Sequence, residues 1–261
     1  MHVVRDGFLY AGAMTDVAST RHSALLYVAL APGTFQLDTP AGRLHAAAAL
    51  VRPGTPKRIQ AGDVPVACAD VYPPHPAFRT LARLGEAVRA WPRDTFAPCA
   101  DALAAFRAHR LAAPLVETLH HRLVDLAQAQ LPSPPPLDPR VSTVLARLQV
   151  DVRETPEQLA AAVGLSRDWL VQLFQREVGI SLRHYEQTMK LQAAATYLRR
   201  GVPLSQVATL AGFSGAAHFS RRWKQRFGFA PHRVFSGDEL RVDPLACAPA
   251  RRDTEVASRP A

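Results

Sequence analysis

A chain of 261 residues, 48% hydrophobic and 20% charged, is long enough for two domains and too apolar to remain disordered. Its net charge of +9 points to an anionic partner, and no apolar run approaches the ~18 residues that a membrane span needs. The opening MHVVRDGFLY has no signal-peptide core, and Cys68, Cys99 and Cys247 are too scattered for a disulfide frame or a metal knuckle, so a reducing cytoplasm is expected.

Residues 1–75 are short apolar runs broken by turn signals at Pro32-Gly33, Pro40-Ala41-Gly42 and Pro53-Gly54, roughly every ten residues. That spacing predicts a β-barrel or sandwich. From 77 to 131 the texture changes, and FRTLARLGEAVRAW, CADALAAFRAHRLA and PLVETLHHRLVDLAQAQL all carry apolar positions at helical period. In the last, Leu115, Val116, Leu119, Leu123 and Leu126 form a stripe, available either for pairing with a second copy or for packing on the barrel. LPSPPPLDPR, with five prolines in ten residues, predicts an exposed, semi-stiff linker.

Beyond the linker, helices are predicted at about 139–150, 156–163, 167–178, 182–200, 204–210 and 216–227, with a short one near 231–235. Gly164, Gly179, Gly201, Gly212 and Gly228 punctuate their ends. The positive charge sits here. Residues 140–241 hold 15 Lys+Arg against 8 Asp+Glu, whereas residues 1–139 hold 13 against 11. The excess is built mostly of arginine, which suits bidentate contacts to phosphate and guanine.

The same stretch repeats itself. At an offset of 48, Gln158, Ala160, Gly164 and Ser166 meet Gln206, Ala208, Gly212 and Ser214. One residue further along, Leu170, Phe174, Val178 and Gly179 meet Phe219, Trp223, Phe227 and Gly228. Each copy reads as a short helix, a glycine turn and a longer helix, a helix-turn-helix. The residues spaced by four bury the inner face of each second helix. The outer faces then carry Arg167, Asp168, Val171, Gln172, Gln175 and Arg176 in the first copy, and Ala216, Ala217, Ser220, Arg221 and Lys224 in the second. A helix fits the major groove, and these side chains suit base edges and phosphates. Asp168 either accepts from a cytosine or serves the helix N-terminus; Ala216 and Ala217 pack on thymine methyls or read nothing. Arg176, Arg183 and Arg226 read as phosphate clamps, and Trp169, Phe174, Phe219 and Trp223 as core. One long helix joins the copies. Its ~28 Å length allows both readers to enter successive grooves of one DNA face.

With VATLAGFSGAAHFSRRWKQRFGFAPHRV and the shorter LA…GLS…L…F…G of the first copy, residues 140–235 resemble the DNA-binding domain of AraC/XylS-type transcription regulators. RHSALLYVALAPGTFQL, AAALVRPGTPKRI and VYPPHPAFRTL are similar to the cupin-like sensing domain of such regulators. The resemblance implies an α+β protein in three parts and a tail. Residues 1–130 would be a cupin-like β-barrel with a helical dimerisation segment at about 77–130, and 131–139 a linker. Residues 140–236 would be an all-α domain of two helix-turn-helix units joined by a long helix, and 237–261 a disordered tail. It also implies a bacterial cytoplasmic regulator that binds double-stranded promoter DNA, with RNA polymerase, a second copy of the chain and a small-molecule effector as further partners, and no enzymatic role.

His22, Arg52 and Lys57 are the candidates to meet an anionic effector in the N-terminal half, against a plain surface or barrel role. No metal or other cofactor is expected. His22 stands alone, His45 and His75 have no partner at ligand spacing, and His120 and His121 are neighbours on a helix and point apart. Three competing readings stay open: a cupin-type metalloenzyme with a DNA-binding appendage, a DNA-binding regulator without a ligand, and a nonspecific DNA packager.

Overall fold

The computed structural model describes residues 2–227 and Pro231; the helix expected near 231–235, the tail at 237–261 and the side chains of Arg226 and Phe227 lie outside the described residues. The N-terminal half contributes β1 (His2–Val4), β2 (Gly7–Gly12), β3 (Val17–Thr20), β4 (Ala24–Ala29), β5 (Phe35–Thr39), β6 (Gly42–Ala46), β7 (Ala48–Val51), β8 (Pro56–Gln60) and β9 (Val66–Val71). Then come α1 (Phe78–Ala82), β10 (Val88–Trp91), a 3-10 turn (Arg93–Cys99), α2 (Ala100–Arg107) and α3 (Ala113–Gln128). The C-terminal half is α4 (Pro139–Val150), α5 (Pro156–Ala162), α6 (Arg167–Val178), α7 (Leu182–Arg199), α8 (Leu204–Leu210) and α9 (Ala216–Phe227). This is the expected α+β architecture.

The strands make two antiparallel sheets, ordered β1-β2-β9-β4-β7-β10 and β3-β8-β5-β6. β4 explains how they are used. Its sequence ALLYVA is buried throughout, because alternate residues serve two cores. Leu25 and Tyr27 point between the sheets with Phe35, Leu37 and Ile59. Ala24, Leu26 and Val28 point the other way, into the helices that cover the larger sheet.

One expectation for this half is corrected, and the packing of the α3 stripe is seen. LGEAVRAW is not helical beyond α1; Val88–Trp91 pairs with β7 instead, from Val88 opposite Val51 to Trp91 opposite Ala48. The apolar spacing fits a helix, but the open edge of β7 offers a full ladder of backbone partners, and that tertiary choice prevails. In α3, Val116, Leu119 and Leu123 are buried on the chain's own sheet, and Leu115 is 53% exposed and off that stripe. The stripe is therefore spent within the chain. Residues 131–138 of the proline-rich segment have no helix or strand but are pinned: Leu131 and Leu137 pack against the core, and the Pro135 carbonyl accepts from Arg79.

The helical half divides between two cores. Leu159, Leu170, Phe174, Val178, Leu182 and Tyr185 join the core behind the larger sheet. Leu191, Ala194, Leu198, Val207, Ala208, Phe213, Phe219 and Trp223 form a separate one. α7 runs through both, its first half in one and its second half in the other.

Candidate nucleic-acid interface

The two units close by the same turn. After α5, the Leu165 N–H reaches the Ala160 carbonyl at 3.0 Å across Gly164; after α8, the Phe213 N–H reaches the Ala208 carbonyl at 2.8 Å across Gly212. Both glycines are left-handed, with φ of 67° and 75°. This is the bond that ends a helix on a glycine, and it turns the chain sharply into the next one. The starts are fixed as well. Thr155 and Gln158 form a reciprocal capping box on α5, and the Ser166 hydroxyl accepts the Trp169 N–H at the start of α6.

In α6, Leu170, Leu173, Phe174 and Val178 are buried, which turns Arg167, Asp168, Gln172, Gln175 and Arg176 outward. Val171 is half-buried at the edge of that face. Arg167 is shared between two carboxylates, 2.9 Å from Glu157 and 3.4 Å from Asp168, and Arg176 lies 3.7 Å from Glu177. Asp168 does not cap the helix, since Ser166 does. The Gln172 and Gln175 side chains are exposed and make no hydrogen bond among the described residues.

In α9, Phe219 and Trp223 are buried, their rings 5.5 Å apart, with the Phe213 ring tilted against Phe219 at 5.2 Å. Ala216, Ala217, Arg221 and Lys224 are exposed, and Ser220 is half-buried. Arg222 is held inward by His218, whose ring in turn meets the Ser214 hydroxyl at 3.0 Å. Arg221 and Lys224 have no acidic partner among the described residues. The second unit thus offers uncompensated positive charge, while the first offers amides flanked by paired arginines.

Trp169 is corrected. It is 54% exposed, on the same outward side as Gln172. The repeat carried the signal, because the residue that matches Trp169 in the second unit is His218, outside the buried Phe219–Trp223 line.

The effector candidates do not converge. His22 stacks on His184 of α7, ring centroids 3.4 Å apart. Arg52 donates to the Leu84 carbonyl at 3.3 Å. Lys57 is 5% exposed, turned between the sheets, and donates to the Ser19 hydroxyl at 3.2 Å. The larger buried charge pair was missed: Arg21 meets Asp70 at 3.1 Å and lies over the Phe8 ring. Burial and the Asp70 charge push the neighbouring Cys68 thiol up to about 12, so it is inert at neutral pH. A cavity of about 380 Å³ opens elsewhere, between Val28 of the sheet with Leu30 just beyond it and Phe96, Leu103, Arg93 and Arg107 of the helical cover.

A family model described as a helix-turn-helix domain matches residues 159–236. Over 100 residues the chain is 31% identical to the HTH-type transcriptional regulator YidL of Escherichia coli (strain K12), a match covering 38% of this chain and 33% of that protein. Over 118 residues it is 27% identical to the HTH-type transcriptional regulator GbdR of Pseudomonas aeruginosa (strain UCBPP-PA14), covering 44% and 32%. The matches span about a third of the length of these curated relatives. Among solved structures, ToxT from Vibrio cholerae O395 aligns with a TM-score of 0.55 at 12% identity, over 88% of this chain and 98% of that one, a likeness of fold. ToxT has been solved bound to (E)-4-(8-methylnaphthalen-1-yl)but-3-enoic acid and to an unsaturated fatty acid. Among the described residues, no helix is long and apolar enough to cross a membrane.

Proposed function

We propose that this chain, whose matched C-terminal segment is a helix-turn-helix domain of the AraC type, is a sequence-specific regulator of transcription that lays α6 and α9 into successive major grooves of promoter DNA. One observation supports the reading: two copies of one unit, closed by the same glycine turn, each turn a polar helix face outward, with exposed amides between paired arginines in the first and the uncompensated cations Arg221 and Lys224 in the second. In α6, Gln172 and Gln175 are the base readers, with Arg167 and Arg176 on the backbone and Asp168 and Val171 beside them. In α9, Arg221 and Lys224 hold phosphate or guanine, Ser220 sits at the edge, and Ala216 and Ala217 meet thymine methyls. The ~27 Å of α7, with the turns that flank it, allows a separation near the ~34 Å of one DNA turn.

The curated relatives are regulators, which favours this reading over an enzyme. RNA polymerase at the promoter and a second copy of the chain are the further protein partners, although the α3 stripe is not free to hold the second copy. For an effector, the cavity at Arg93 and Arg107 fits an apolar carboxylic acid better than His22, Arg52 and Lys57 do. Its walls are largely apolar and two cations border it, with Asp94 alongside. The acids bound by ToxT are of this chemical kind.

Fluorescence anisotropy of the full chain on genome-selected sites and on random duplex, across salt, tests the function. Specific binding exceeding random binding by about 10³-fold or more at ~0.15 M salt supports it. Equal affinity for both would reassign the chain to DNA packaging.

A further inference from the structure

Three histidines expected to have no common purpose are gathered by the fold. His75 lies in the loop YPPHPAF between β9 and α1, stiffened by Pro73, Pro74 and Pro76. His120 and His121 lie on α3. One ring nitrogen from each comes within 4.8 Å of the other two. The ring centroids are 5.9 Å apart for His75 and His120, 5.4 Å for His75 and His121, and 6.0 Å for His120 and His121. From the arrangement of these three imidazoles we propose a binding site for a divalent transition-metal ion of zinc, cobalt or nickel type.

His120 is the best prepared ligand. It is fully buried, and its Nε2–H donates to the Asp70 carbonyl at 3.0 Å. The lone pair is then on Nδ1, which has no hydrogen-bond partner. A metal-bound histidine is oriented by just such a bond from its other nitrogen to a backbone carbonyl. His75 Nε2 is buried and unpartnered too. His121 is the member most open to solvent and gives the ion its way in. A set of three imidazoles without thiolate suits borderline divalent ions and leaves a fourth position for water.

The site needs adjustment, which sets its character. Two nitrogens on one tetrahedral ion, each ~2.1 Å from it, are about 3.4 Å apart, so nitrogens now within 4.8 Å of one another must close by up to about 1.4 Å. His75 Nδ1 accepts the Ala77 N–H at 3.1 Å, which leaves the ring proton on Nε2. The ring must turn, or give up that bond, before it offers the ion a lone pair. These costs make the ion exchangeable rather than a permanent part of the fold. The carboxylates of Asp6 and Asp125 act on His75 and would offset part of the charge of a dication. Asp6 also accepts from Gln192 of α7 at 3.3 Å, which sets the ion beside the helix that links the two readers.

Calorimetry with Zn2+ and visible absorption with Co2+, both on the full chain free of any tag, test the proposal. One ion per chain, with a tetrahedral Co2+ spectrum, is expected. His121→Ala, at the most open position, should keep the circular dichroism of the parent and weaken Zn2+ at least about 10-fold. His45→Ala, at an exposed histidine elsewhere, should change nothing. Absence of a stoichiometric isotherm overturns the proposal, as does an isotherm that His121→Ala leaves intact.

Discussion

Arg79 of α1 donates from Nε to the carbonyl oxygen of Glu177 at 2.8 Å, while its Nη2 meets the Glu177 carboxylate at 3.2 Å. Arg83, one turn on, donates to the Arg176 carbonyl at 2.8 Å. Two cations from the N-terminal half thus occupy the carbonyl end of the first reader, α6, where orphan acceptors and the negative end of the helix dipole gather. At the same end, a Cβ on Gly179 would meet the Ala82 Cβ at 2.9 Å, so the two elements touch backbone to side chain. Both partners of the Arg79–Glu177 pair are largely buried. Arg79→Ala should therefore cost about 2 kcal/mol in urea denaturation, with Arg79→Lys recovering part of it. An unchanged midpoint would mean that the contact is dispensable.

The DNA faces make separable predictions. Arg221→Ala should weaken binding to all sequences by about tenfold and lower the slope of log K against log salt by about one. Gln172→Ala should leave that slope alone and cost about 1–3 kcal/mol only at its own base pair. A salt series on matched and single-substituted sites distinguishes the two roles, and a Gln172→Ala effect equal on every sequence would remove it as a reader.

Two tryptophans in equivalent helices should behave oppositely. Trp223→Ala opens a hole in the core of the second unit and should cost about 3–5 kcal/mol. Trp169→Ala should change stability by no more than about 0.5 kcal/mol. Because Trp169 shares its outward face with Gln172, its loss should register in DNA affinity instead. Thermal denaturation beside anisotropy checks both.

His184, whose ring stacks on His22, gives a pH dependence with a definite sign. Burial, then the charges of Arg183 and Arg222, hold the His184 pKa below its usual value. The folded form therefore prefers neutral His184. The stabilisation is complete above the ordinary histidine value of about 6.5 and is lost as pH falls through the lower folded value. NMR titration of the His184 ring, followed together with denaturation midpoints of the parent and of His184→Gln, reads this directly. The parent should lose more stability than the variant on going from about pH 7.5 to about 5.5; parallel curves would refute the coupling.

At the cavity, the double variant Arg93→Ala/Arg107→Ala should abolish any change in DNA affinity produced by an unsaturated fatty acid. Affinity without the acid should stay as it is. The corresponding alcohol, lacking the carboxylate, should be inert on the parent. An acid response retained by the double variant would move the effector site elsewhere.

The helical half was legible because its punctuation is local. Gly164 and Gly212 sit where only a left-handed turn fits, and Thr155, Ser166 and Pro156 mark helix starts within a few residues of the helices they begin. What escaped was decided at a distance. Val88–Trp91 has helical spacing and is a strand only because β7 lies open beside it. Trp169 has the side chain of a core residue, although its counterpart in the repeat is a histidine. His75 and His120 are 45 positions apart in sequence, and no spacing rule brings a loop after β9 onto α3. Lys57 was legible as a cation, but the strand pleat, not its charge, turns it inward between the sheets.

α7 has Tyr185 in the core shared with the sheet and Leu191 in the core of the second unit, so it is the shaft between two readers with different anchors. A shaft of helix transmits angle in fixed steps, about 100° and 1.5 Å for each residue. One residue inserted between Met189 and Leu191 would leave both cores intact and swing α9 to the wrong side of the duplex. Four would turn it by only about 40° but move it some 6 Å along the axis. On the proposed reading, the phase between the two half-sites is thus written in the residue count of one helix.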